Sequence, residues 1–138
     1  MQGSVSTKKR TWLKVVWIIL AIFALIIVAV LGFAMLGKGS TESLKLSGAN
    51  AAALEDGVYP GKYDAFRWSN AVEVTVKDHQ IEAIQVTKPQ VAAKPATIEE
   101  LTNHVLQSQS TAVDTVSGAT IDSKAYLKAV ENALTPAN

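Results

Sequence analysis

The sequence predicts an α+β domain, a small antiparallel sheet with two packed helices, preceded by one N-terminal transmembrane helix. Three observations carry this reading. The run from Val15 to Leu36 holds no charged residue and is apolar on all sides. Val72, Val74 and Val76 alternate with Glu73, Thr75 and Lys77, the period of a strand with one wet face. Ile98, Leu101 and Val105, and then Tyr126, Val130 and Ala133, recur at helical spacing.

The N-terminal elements come first. Met1 to Arg10 is polar and small and reads as unstructured. At helical rise the Val15–Leu36 run is about 33 Å long, against a hydrocarbon core of about 30 Å. Trp12 and Trp17 stand at one end, where interfacial anchors belong. A cleaved signal peptide is the rival, but Ala34-Met35-Leu36-Gly37 offers no clean small-x-small site. A retained signal anchor spanning 15–36 is therefore expected. Lys8, Lys9, Arg10 and Lys14 place residues 1–14 in the cytoplasm and the C-terminal part outside the cell membrane, single-pass. Residues 37–54 are rich in Gly, Ser, Thr and Ala and read as a linker, with a reach of about 20–25 Å as a flexible coil. Leu44, Leu46 and Ala51 to Leu54 allow a short helix there instead.

An extracytoplasmic domain is expected over 55–138. It opens at Asp56-Gly57-Val58-Tyr59-Pro60-Gly61. The valine strand follows, and Asp78-His79-Gln80 makes a turn. Ile81 to Val86 returns as a second strand, with Ile81/Ala83 and Ile84/Val86 out of phase, which predicts a bulge. Pro89 and Pro95 bound a loop. Thr97-Ile98-Glu99-Glu100 reads as a capping box, with Thr97 at the N-cap. Thr120 is the predicted N-cap of the last helix, which Pro136 ends. On that helix Leu127 and Leu134 adjoin the apolar stripe, and Lys124, Lys128 and Glu131 are expected on the wet side.

Composition narrows the function. The 138 residues contain no Cys, which excludes disulfides, thiolate metal sites, iron–sulfur clusters and cysteine nucleophiles. Any redox chemistry must come from a bound cofactor. His79 and His104 lack spaced metal-binding partners. Beyond the N-terminal cluster, nine basic residues face twelve acidic ones, a balance that argues against nucleic-acid binding. Ser117 and Ser123 have no evident His–Asp partners, and no phosphate-binding glycine motif is present.

The most informative stretch is Asp114-Thr115-Val116-Ser117-Gly118-Ala119-Thr120, running straight into a helix. Gly118 lets the backbone turn tightly among small residues. Free N–H groups and the positive end of the helix dipole converge there, where a phosphate is welcome. The plain alternative is a turn with a capping threonine.

The register Asp114-x-x-Ser117-Gly118-Ala119-Thr120 resembles the flavinylation motif of FMN-binding domains. Such domains form the flavin-carrying subunits of sodium-pumping NADH:quinone reductases and related electron-transfer complexes. Asp56 to Gly61 is similar to the family's opening strand, and the likeness runs from about Glu55 to Leu134. It implies FMN joined to Thr120 through a phosphoester. A flavin transferase using FAD would install it, reading Asp114, Ser117, Gly118 and Ala119. A membrane NADH- or quinone-linked oxidoreductase would be the redox partner, the lipid bilayer the other. The family usually has Gly where His79 stands, which leaves the turn type open. Tyr59, Tyr63, Phe66 and Trp68 are candidates by type for a bed under the flavin ring. The expected function is that of an electron carrier. The alternatives are a sensor or binding module holding flavin or another ligand non-covalently, and a surface domain without cofactor.

Overall fold

The computed structural model describes residues 5–136. The chain divides between Met35 and Leu36 into two units.

The first unit is helix α1, Val5–Met35, 31 residues long. An 18-residue window within it reaches a mean hydropathy of 3.2, so it is long and apolar enough to cross a membrane. Its apolar side chains are exposed, Leu25 by 70%. A helix apolar on every face finds its stabilising surroundings in lipid, not in water. The helix includes Val5–Arg10, a part of the start that reads as unstructured by composition alone. Met1 to Ser4 lie outside the described residues.

In the second unit three strands form an antiparallel sheet in the order β1-β2-β3. They are β1 Gly57–Tyr63, β2 Asn70–Lys77 and β3 Gln80–Lys88. A 3-10 turn, Phe66–Trp68, joins the first two. Pro60 needs no ladder N–H donor because β1 is an edge strand. Val72, Val74 and Val76 are buried on the central strand, while Glu73 and Lys77 are exposed. The β2–β3 turn is tight because Asp78 and His79 both take positive φ, 51° and 62°. That is the type I′ pattern. His79 occupies it without glycine's freedom, and its Nδ1 lies 2.8 Å from the Leu54 carbonyl. The Asp78 N–H donates to Asp56 Oδ1 at 2.7 Å. The predicted bulge is present: Val76 pairs with Ile81 and Thr75 with Ala83, leaving Glu82 without an opposite residue.

Helix α4, Thr120–Leu134, lies against β1 and β2, and helix α3, Pro95–Ser108, against α4 and β3. Leu101, Val105, Tyr126, Leu127, Val130 and the three β2 valines form the core. At Gly61 a Cβ would run into the Ala129 carbonyl and Ala133, so only glycine lets α4 settle this close to β1.

Four expectations are corrected. The capping box is not formed. Helix α3 starts at Pro95 after Lys94, because proline's fixed φ and missing N–H suit the first helical position. Thr97 falls inside the first turn and is buried. Likewise Thr120 is the first residue of α4 rather than its cap, and Ala119 precedes it. Ser123 does the local work, its hydroxyl donating to the Ala119 carbonyl at 2.7 Å and accepting the Val116 N–H at 3.1 Å.

Third, 37–54 is not a free coil. It holds the short helix α2, Lys38–Glu42, placed before the residues that suggested one, and it packs on the domain. Thr41 and Ala51 are buried, and Leu46, Ala49 and Leu54 press on the core. Thr41 Oγ1 meets the Tyr63 hydroxyl at 3.0 Å. Fourth, Glu131 is buried, 3% exposed, instead of wet. Its carboxylate accepts from the Ser47 N–H at 2.7 Å and the Thr111 hydroxyl at 3.4 Å, and pairs with Lys128 at 2.7 Å. A buried charge persists only with such partners.

Candidate functional site

The stretch Val116–Thr120 is a turn that delivers the chain into α4. The Ala119 N–H bonds the Val116 carbonyl at 3.0 Å across Ser117 and Gly118. Gly118 takes φ +76° at the third position, which a type II turn reserves for glycine. A Cβ there would meet nothing within 4 Å. The glycine is thus required by backbone conformation, and the space beside it is open.

Thr120 follows, exposed on the first helical turn. The Ser123 N–H is satisfied by the Ala119 carbonyl at 2.8 Å. The N–H groups of Thr120, Ile121 and Asp122 have no acceptor among the described residues. They are the orphan donors of a helix start, carrying the positive end of its dipole.

A groove of about 390 Å³ lies over this turn, lined by Gly118–Asp122, Arg67, Trp68, Lys38 and Glu42. Four elements therefore build it: the glycine turn, the start of α4, the 3-10 turn and α2. Trp68 is buried, and its indole N–H donates to Asp122 Oδ1 at 3.0 Å. The Arg67 guanidinium carbon sits 4.3 Å from the centre of the Trp68 ring. Arg67 has no acid partner among the described residues, and its Nε–H is buried without an acceptor.

The predicted site residues divide. Gly118, Ala119 and Thr120 come together in the groove. Ser117 is exposed in the turn beside it and does not line it. Asp114 is exposed and lines a separate groove with His104, Gln107 and Ser108. Of the aromatic candidates, Trp68 alone reaches the groove. Tyr59 and Tyr63 pack on the core, and Phe66 is exposed beside Gly37 without lining the groove.

Residues 70–135 match the family model described as FMN-binding domain. This part of the chain belongs to that family. No curated protein matches the chain. The match spans β2 through α4, so it includes the glycine turn and Thr120. The FMN-binding domain is thus accompanied by a helix long and apolar enough to span a membrane.

The groove residues fit FMN. Three unpaired N–H groups and an unpaired guanidinium suit its phosphate, and the open space at Gly118 leaves room beside Thr120. Arg67 and Lys38 had no signal in the sequence, because a 3-10 turn and a five-residue helix carry no readable period. Glu131 did carry one: it stands four residues after Leu127 and three before Leu134, on the apolar row itself.

Proposed function

We propose that this protein carries FMN covalently on Thr120 and serves as a membrane-anchored, extracytoplasmic electron-transfer flavoprotein. The observation that carries this reading is the position of the Thr120 hydroxyl. It stands exposed on the first turn of α4, within the groove that holds three free N–H groups and the Arg67 cation. Attachment from FAD forms a bond between the threonine oxygen and the FMN phosphorus. It breaks the pyrophosphate, and AMP leaves while the hydroxyl proton is given up. The resulting phosphodiester keeps one negative charge, which the helix N–H groups and Arg67 stabilise. Gly118 and Ala119 keep bulky side chains away from it.

When bound, FMN supplies the acceptance of electrons in pairs and their release one at a time. The protein supplies attachment, orientation and a favourable field. A covalent bond suits a domain outside the cytoplasm, where no flavin pool replaces a cofactor lost by dilution. A flavin transferase is the maturation partner. A membrane NADH- or quinone-linked oxidoreductase is the electron source, and an external molecule the acceptor. The transferase reads Asp114 and Ser117, a reading supported by the exposure of both outside the groove.

The test is the intact mass of the denatured full chain after co-expression with a flavin transferase and FAD, with Thr120→Ala beside it. The wild type is expected to gain the mass of FMN less one water, and Thr120→Ala nothing. A wild type at its bare polypeptide mass overturns covalent attachment. Flavin that then co-purifies with the native protein and leaves on denaturation points to a non-covalent binding module.

A further inference from the structure

We infer that Arg67 is the side chain by which the groove recognises the phosphate of FMN, with Trp68 and Asp122 holding it in place. The inference rests on the reading of this groove as the FMN site and adds a residue outside the matched segment 70–135.

Trp68 lines the groove from the 3-10 turn. As an aromatic on the groove it is the natural bed for a flavin ring. Its surroundings exclude that role on one face, because the Arg67 guanidinium lies over the ring at 4.3 Å from its centre. The remainder of the indole is buried, 2% exposed, and its N–H is committed to Asp122. What this corner presents to a ligand is therefore the cation, not the aromatic face. A guanidinium laid on a tryptophan is held by attraction to the ring and keeps its charge.

The cation also has no acid partner among the described residues. Two acids line the same groove, Glu42 and Asp122, and neither pairs with Arg67. The Asp122 carboxylate accepts from Trp68 instead. The buried Nε–H has no acceptor among the described residues. An unpaired donor of this kind is costly, and an anionic ligand relieves it. The free N–H groups of Thr120–Asp122 line the same groove. A phosphate joined to Thr120, or docking before it is joined, thus meets two independent sets of donors. Asp122 serves both: its backbone heads the helix while its side chain anchors Trp68, and through Trp68 the arginine.

The experiment separates phosphate recognition from covalent attachment. The full chain carrying Thr120→Ala, purified in detergent, is titrated with FMN and with riboflavin, which lacks the phosphate. The double variant Thr120→Ala/Arg67→Gln and its partner with Arg67→Lys are titrated alongside. Thr120→Ala is expected to prefer FMN to riboflavin. Arg67→Gln should weaken FMN binding about 10- to 100-fold, the range of charge-assisted hydrogen bonds, and leave riboflavin unchanged. Arg67→Lys should restore part of the preference, which a merely packing role would not do. Equal loss for both ligands, no loss for either, or no preference for FMN in Thr120→Ala overturns the inference. Intact masses of the wild type and of Arg67→Gln with Thr120 present are recorded separately. A wild type that gains FMN while Thr120→Ala shows no FMN preference sinks the role of Arg67 and spares the carrier reading. Phosphate selectivity without a mass gain does the reverse.

Discussion

Glu131 shows how a single residue can serve two parts of the chain. Its carboxylate, on α4, receives the Ser47 N–H from the segment ahead of β1 and the Thr111 hydroxyl from the loop before the glycine turn. Burial pushes its carboxyl up. Hydrogen bonds from Lys128 and Ser47, with the Lys128 charge, outweigh that and hold it below the ordinary carboxylate value. A carboxyl depressed on folding stabilises the fold fully above its unfolded value, and that stability is lost as pH falls through the folded value. Acidification from neutrality through its folded value should therefore strip this contribution from the wild type. Glu131→Gln should cost about 1–3 kcal/mol at neutral pH and remove that part of the acid sensitivity. Thermal unfolding across the pH series measures both. An unchanged acid slope in the variant would show that other carboxylates set it. Tyr126 behaves oppositely. Burial raises its phenol beyond the lowering by Thr102, so it stays neutral in the core and shares a 2.6 Å hydrogen bond with the Thr102 hydroxyl.

At the scale of elements, the segment ahead of β1 is the chief departure from the composition of the chain. Small and polar residues suggested a tether, yet Thr41 and Ala51 are buried and Leu46, Ala49 and Leu54 cover the core. The segment also reaches the site, since α2 brings Lys38 and Glu42 to the groove. The domain therefore begins near Leu36, not at Glu55. A chain started at Glu55 loses those contacts, and with them the Ser47 N–H on Glu131 and the Thr41 hydroxyl on Tyr63. It is expected to be less stable than one started at Leu36 by about 3–5 kcal/mol. For a domain of about 100 residues that lowers Tm by more than about 10 °C. Equal melting temperatures for the two chains would return the segment to the status of a linker.

Taken whole, the molecule pairs an exposed apolar helix with a folded FMN-binding domain. Full-length protein is expected to stay with membranes through alkaline carbonate extraction, and the chain from Leu36 to come away in solution. The absence of native Cys makes sidedness testable with one added thiol. Glu99→Cys, on an exposed face of α3, should react with an impermeant maleimide added to intact cells. Protection until the membrane is opened would place the domain in the cytoplasm and remove the extracytoplasmic part of the proposal.

The sequence by itself determined the elements whose period is long or whose chemistry is local. The apolar run of α1, the alternating valines of β2, the bulge after Ile81 and the inward stripe of α4 all follow from spacing, because burial repeats with the geometry of the backbone. The glycine turn and Thr120 were legible as a motif for the same local reason: a positive φ asks for glycine, and a helix start offers free donors. Only the tertiary structure decided which residues share the groove. Arg67, Lys38 and Asp122 come from a 3-10 turn, a five-residue helix and the first turn of α4. Only tertiary structure, too, separated Asp114 from Thr120. Such convergence depends on how distant segments pack, and packing leaves no period in the chain.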